Sequence, residues 1–450
     1  MNADLRAALA EGDAGVALAL IGQLPAADRD QFANAAAVAY LLGSLGRHEE
    51  ELDVLRRLIS REPAEPSLQL SLAHALKTLG RRGEAIAAAR EALAIRPGYG
   101  KAWWVLADFK NYEFSDADVA AMQDAIAAAL VPADRLHLHF ALGRAFEQRG
   151  ETEAAFAFYA NGNAQAAAAS PPGSVSDRVE RAIKVFTPEF FAARANFGDD
   201  SDAPIFILGL HRSGSTLVEQ ILASHSQIEA TSELPIIGQL MRHLARDTSP
   251  PGETPMEKIA ALDAARARAL GAEYLRRAAA YRQTTKPRFI DKMPANWLYI
   301  GLIQTILPNA TIIDARRHPM AAGFSNFRQH YDRGASWTRS LESIARYYRD
   351  YLRLMRHFDR VLPNKIHRVV NERLIENFEP EVRRLLDHVG VDFEPAVLEF
   401  HTSQRPVRSA SAEQVRQPIN RDGVDQWRAF EPWLGPLQEA LGPALEDWET

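Results

Sequence analysis

Hydroxyls, glycines and one guanidinium crowd together in the stretch PIFILGLHRSGSTLVEQIL, residues 204–222. The chemistry open to such a cluster is the holding of an anion. Gly214 lets backbone N–H groups come close, Ser213, Ser215 and Thr216 add hydroxyl donors, and Arg212 supplies a bidentate positive fork. The glycine spacing is that of a phosphate-binding loop, yet Ser215 stands where nucleoside triphosphatases carry the lysine that reaches the outer phosphates. With the cation moved to Arg212, the loop argues for a ligand with a single 5′-phosphate. A bare helix-capping corner is the alternative use of these hydroxyls, and their density after an apolar strand weighs against it.

The elements that must position these residues are readable around them. The apolar run 205–210 predicts a buried parallel strand, and Leu217, Ile221 and Leu222 give helical spacing over 216–224. A strand, a glycine turn and a helix together aim backbone N–H groups at an anion. Downstream, NWLYIGLIQTILPNATIIDARRHPMAAGFSNF predicts a helix over 296–307, a turn at Pro308-Asn309, a strand over 310–315 and a helix from near Met320. RFIDKMP sets Lys292 at the end of another short strand, and RRHP sets Arg317 at the end of the 310–315 strand. The pattern from 203 to 450 is that of an α/β domain with a central parallel sheet.

The N-terminal part has a different period. LGR occurs at Leu45-Gly46-Arg47 and again at Leu79-Gly80-Arg81, a shift of 34 residues that Pro63 and Pro97 share. Ala39, Ala73 and Ala107 keep the same interval, at places where two helices of a hairpin must approach closely, and ALGRAFEQRGETEAAFAFY (141–159) carries similar placements. Amphipathic helix pairs of this kind stack into a solenoid because no pair can bury its apolar face alone. The spacing resembles tetratricopeptide repeats, with three or four units between about residues 30 and 168. The resemblance implies a concave surface that recruits a peptide or protein; a structural extension or a homodimer platform is the other use of such an array. Trp103 and Trp104 divide between packing in the repeat core and anchoring a partner. The break AQAAAASPPGSVSD, with Pro171 and Pro172, sets a linker over 169–202 between repeats at 1–168 and the α/β domain.

Composition bounds the partners. A formal charge of −6 offers no global attraction to nucleic acid or to an anionic membrane surface, and the lack of cysteine excludes disulfides, thiolate catalysis and cysteine-ligated zinc. The N-terminus has no basic signal-type region, and no apolar run approaches the ~20 residues of a membrane span. A cytoplasmic enzyme is the expectation.

HRSGSTL followed by Glu233 in ATSELP resembles the 5′-phosphosulfate loop and catalytic glutamate of sulfotransferases, with protein-tyrosine sulfotransferases and tetratricopeptide-fused bacterial members most similar. The resemblance covers residues 203–430. It implies 3′-phosphoadenosine 5′-phosphosulfate as sulfuryl donor, no metal, and an α/β P-loop-like fold. It implies donor contacts from Arg212, Ser213, Gly214, Ser215 and Thr216 at the 5′ end, and from Arg317 and Ser325 at the 3′-phosphate. Glu233 is then the general base, while Lys292 and Ser411 stabilise the transferring group. RSASAEQVRQPINRDGVDQWR (408–428) is similar to the segment that closes over the donor, with Gln414, Val415, Pro418 and Asn420 in register. This chain departs from the family pattern at Gln426, where a lysine is expected, at Asn371, where a tyrosine is expected, and at Gln329, where an arginine is expected. The implied acceptor is a hydroxyl of a protein, tyrosine included, or of a saccharide or small molecule; FRQHYDRGASW (327–337) is a candidate lining of its cleft. Two rival readings stand beside this one. One is a P-loop kinase or NTPase in which Asp314 of ATIID holds magnesium; the other is a non-catalytic repeat scaffold with a nucleotide-binding domain.

Overall fold

The computed structural model describes the chain apart from residues 1–7, 9–10, 26–30, 111, 129–130, 171–172, 247–253, 332–333 and 410. The start of the N-terminal segment, hinge prolines Pro171 and Pro172, and Asp332 and Arg333 of the aromatic-basic segment lie outside the described residues.

Helix pairs Phe32–Ser44 with His48–Arg61, Pro66–Thr78 with Arg82–Ile95, Gly100–Ala107 with Asp116–Ala127, and Pro132–Gln148 with Thr152–Ala169 form the N-terminal array. The repeated LGR closes a helix: Gly46 and Gly80 take φ of 76° and 77°, the left-handed turn that a Cβ resists. Ala39, Ala73 and Ala107 are all buried, so the close helix approach rests on the small side chain. Trp103 is buried and its Nε1–H donates to the Pro97 carbonyl (2.9 Å), which ties the second repeated proline to the core. Trp104 is half-buried and faces the cleft described below.

Strands β1 (Pro204–Gly209), β2 (Ile228–Ala230), β3 (Arg288–Lys292), β4 (Thr311–Arg316) and β5 (Ile366–Val370) make one parallel sheet in the order β2-β3-β1-β4-β5. Strand alternation sends Ile205 and Ile207 to the face covered by helices Ser215–Ala223 and Phe378–Val389, and Phe206 and Leu208 to the other. That second face shares its core with Phe140 and Tyr159 of the last repeat pair, so repeats and sheet are packed together. The segment 169–202 contains helices Ser176–Val185 and Pro188–Ala192, and Val179, Ala182 and Phe186 bury into that same core. The helix expected over 296–307 is divided into a 3-10 turn, Pro294–Tyr299, and an α-helix, Ile300–Ile306. The chain leaves β3 through an i→i+3 bond, Asn296 N–H to Met293 O (2.9 Å), and this tightens the first turns.

Among the described residues no helix is long and apolar enough to cross a membrane.

Candidate active site

In an open parallel sheet the carboxyl ends of the strands border the ligand crevice, and here those ends carry the loop residues, Glu233, Lys292 and Arg317, while Ser325 lies in helix Pro319–Phe327 and the remaining site residues on the C-terminal segment. The turn after β1 holds Arg212 to Thr216, the segment after β2 holds Glu233, β3 ends at Lys292, Arg317 follows β4, and Asn371 follows β5. All of them except Ser213 line a cleft of about 900 Å³ whose opposite wall is built by the repeats, with Lys77, Lys101, Trp104 and Lys110 among them.

Backbone geometry shapes the loop. Arg212 has a left-handed φ of 66°, uncommon outside glycine, and Gly214 has φ 90°. A Cβ on Gly214 would stand 2.6 Å from Asn371 Oδ1, so glycine is required there twice over. Arg212 donates through Nε to Ser325 Oγ (3.2 Å) and through Nη1 to Ser411 Oγ (3.0 Å). Arg317 donates through Nη1 to the Arg212 carbonyl (3.0 Å) and also bonds the Gly423 carbonyl. Loop, strand end and C-terminal segment thus meet at two guanidiniums. Ser325 bonds Arg212 rather than Arg317. Thr216 Oγ1 lies 2.9 Å from Ser409 Oγ, while Ser215 begins the loop helix and Ser213 is buried without lining the cleft.

Charge balance in the cleft is strongly one-sided. Burial, with Arg212 and Arg328 nearby, pushes Arg317 down to about 10 even though Glu372 opposes the shift. Burial also lowers Arg212 and Arg328. Arg317 Nε is buried with no hydrogen-bond partner. An unpaired buried donor beside guanidiniums that bond mostly neutral oxygens suits a polyanion.

A second centre pairs Lys292 Nζ with Glu233 Oε1 at 2.6 Å. Lys292 is buried, with Glu219 4.0 Å away on its other side, whereas the Glu233 side chain is 42 % exposed within the cleft. Ser232, at φ 81°, turns the chain so that Glu233 faces inward, and Lys292 N–H donates to the Ser232 carbonyl (3.1 Å). Burial raises the proton affinity of Glu233, but the Lys292 charge and hydrogen bond outweigh it and hold the carboxyl below its ordinary range. Lys292 is raised, because Glu233 and Glu219 outweigh its own burial.

The C-terminal strap crosses the cleft. Val407, Ala412 and Val415 form a small core against Leu217 of the loop helix. Gln414, Pro418 and Asn420 line the cleft, with Asn420 Nδ2 donating to the Pro418 carbonyl (3.3 Å). The repeats hold the strap: Val407 N–H and Arg416 Nη2 both donate to the Thr78 carbonyl (3.0 Å each).

His211 opens the HRSGSTL stretch, and Arg328 and Tyr331 belong to the 327–337 segment expected to line an acceptor cleft. His211 lines the cleft beside Tyr331, at 5.4 Å between ring centres. Arg328 pairs with Glu147 of the repeats and donates to Gln426 Oε1 (2.6 Å). At Gln426, where the sequence lacks the expected lysine, a cation is therefore supplied by a neighbour. Asp314 turns away from this chemistry: it is fully buried, accepts from Arg316 Nη2 (2.8 Å) and Nε (3.1 Å), and does not line the cleft. The magnesium-holding role that the kinase reading needs is closed to it.

The architecture defines a helical-repeat protein joined to a phosphate-loop α/β domain. Residues 204–395 match the Sulfotransferase family and residues 66–99 match a tetratricopeptide repeat, so the chain carries a sulfotransferase-family domain behind a tetratricopeptide-repeat region. An uncharacterised protein of Aquifex aeolicus is 31% identical over 409 residues, 89% of this chain; the chain spans about half (53%) of that relative's length. Among solved structures, the sulfotransferase domain of the Synechococcus PCC 7002 olefin synthase is 23% identical, covering 51% of this chain and 88% of that one at a TM-score of 0.38. The sulfotransferase domain from the curacin biosynthetic pathway is 17% identical, covering 51% and 92% at a TM-score of 0.36.

Proposed function

We propose that the chain transfers a sulfuryl group from 3′-phosphoadenosine 5′-phosphosulfate to an acceptor hydroxyl. The observation that carries this reading is the union of Arg212 and Arg317 through the Arg212 carbonyl, beside the Glu233–Lys292 pair. Two neighbouring arginines with little acidic compensation suit a ligand with phosphate at both ends, and the base–cation pair suits proton removal next to a leaving oxygen.

The donor supplies an activated sulfur–oxygen bond. Arg212, Gly214, Ser215 and Thr216 hold its 5′ end, Arg317 its 3′-phosphate, and the strap residues Gln414, Val415, Pro418 and Asn420 cover it; Ser213 supports the loop from beneath. Glu233 takes the acceptor's proton. Paired with Lys292 it is a weak base, and it gains basicity as Lys292 turns its charge toward the leaving oxygen. Ser411 donates to the same developing charge. The aromatic surroundings of His211, Tyr331 and Trp104 suit a phenolic acceptor, which extends the reading to a tyrosine on a peptide reaching the cleft along the repeats.

Calorimetry with adenosine 3′,5′-bisphosphate, without magnesium, followed by transfer of labelled sulfate to lysate proteins, tests this. Binding and label on tyrosine are expected. Magnesium-dependent ATP binding with none of the bisphosphate would overturn it in favour of a kinase, and bisphosphate binding without transfer in favour of a scaffold.

A further inference from the structure

Lys110 lies just after helix Gly100–Ala107, inside the repeat region and far in sequence from the loop, the strand ends and the strap. It nevertheless lines the same cleft as Arg212 and Arg317. The strongest charges acting on it are the guanidiniums of Arg212, Arg328, Arg144 and Arg317. Arg144 and Arg328 have Glu147 as their acid, and nearby Asp108 is taken by Lys77. Glu413 binds Arg82 with one oxygen and accepts the Lys110 backbone N–H with the other (2.8 Å), leaving the ammonium itself without that carboxylate. Through Glu413 the Lys110 backbone is also tied to the strap two residues from Ser411.

A fold gains nothing by half-burying a further lysine in a cleft already lined by Arg212, Arg317 and Arg328, so the placement asks for an anion. We propose that Lys110 is an anion-binding residue of the donor site, contributed by the repeats, so that the nucleotide site is complete only where repeats and sheet domain meet. This rests on the donor reading given above. Burial and the four guanidiniums also push the Lys110 ammonium down to about 6, so at neutral pH it is largely uncharged until an anion arrives and raises it.

The test titrates the full chain with adenosine 3′,5′-bisphosphate by calorimetry. Lys110→Ala is expected to bind about 10- to 100-fold more weakly, the scale of a charge-assisted hydrogen bond, while Lys110→Arg stays within a few-fold of the parent. At pH 7.5, titrations in buffers of different ionisation enthalpy should show proton uptake by the parent that Lys110→Ala loses. Without nucleotide, Lys110→Ala should melt at or above the parent temperature, because a lysine that must give up its proton to sit there costs the fold stability; a lysine that merely supports the fold would lower it. Parent-like nucleotide affinity in Lys110→Ala, or an effect confined to the acceptor KM, overturns the inference while leaving the donor reading intact. Absence of bisphosphate binding by the parent overturns both.

Discussion

Arginines within the repeat array and arginines around the cleft are one side chain in two electrostatic settings. In the array several find an acid: Arg90 sits on Asp118 through two bonds (2.7 and 2.8 Å), Arg81 on Glu84 (2.8 and 2.7 Å), and Arg96 on Asp134. Around the cleft, Arg212 and Arg317 spend their donors on two serine hydroxyls and two backbone carbonyls. Arg81 and Arg90 are raised by their acids while Arg212 and Arg317 are lowered by burial, the mark of positive charge that the fold has buried but not balanced. Stability explains the first arrangement; the second costs stability and makes sense only if a ligand completes it.

The comparison breaks first at Glu233. Glu233→Ala should lower turnover by about 10²- to 10⁴-fold, the range for removal of a general base, with bisphosphate affinity held within about 2-fold by calorimetry, since no donor contact is lost. Equal loss of both would make Glu233 a structural partner of Lys292. Next comes Arg317→Ala. It should weaken adenosine 3′,5′-bisphosphate by about 10- to 100-fold and adenosine 5′-monophosphate far less; equal weakening of the two nucleotides would mean that Arg317 does not read the 3′ end.

In the balanced region the effect should fall on stability alone. Asp118→Ala removes the Arg90 pair and the capping box with Ser115, and is expected to cost about 2 kcal/mol in thermal or urea unfolding. Donor affinity should be unchanged, and a joint loss would show that the two charge settings are not independent. A pH-dependent effect concerns Asp291. Burial, reinforced by Glu233, pushes its carboxyl up to about 8 against the Tyr274 hydroxyl, the Leu234 N–H and Lys292. Its folded value lies above its unfolded value of about 3.9, so its contribution is full below about pH 4 and declines as pH rises to about 8, then levels. Asp291→Asn keeps a partner for Tyr274 and should flatten that decline; melting temperatures of parent and variant at pH 5 and pH 8.5 check it, and parallel curves would assign the proton elsewhere.

Much of the site was legible because its chemistry is local. Residues 204–222 announce strand, turn and helix within a single stretch, and the need for Gly214 follows from that turn. RRHP was legible only in part. It offers two arginines at a strand end, and the sheet assigns them opposite tasks: Arg316 is buried on Asp314 and Tyr351, while Arg317 passes the strand and enters the cleft. Gln426 read as a missing contact until Arg328, nearly 100 residues away, was seen to bond it. The resemblance sets Ser325 with Arg317 at one phosphate, and the structure adds a bond that spacing does not show, from Arg212 Nε to Ser325 Oγ.

The sequence alone determined the 34-residue helical period, the glycine turn that suits a phosphate, and the strand ends carrying Lys292 and Arg317. Each of these depends on neighbours within a few positions, through helix and strand periodicity and the backbone freedom of glycine. Only the tertiary structure decided that the repeats form the far wall of the cleft, that Lys110 lines it together with Arg212 and Arg317, and that Glu413 joins the strap to Arg82 across 331 positions. Ion pairing and burial depend on distance through space, and residues so far apart in the chain leave no local pattern by which they could be matched.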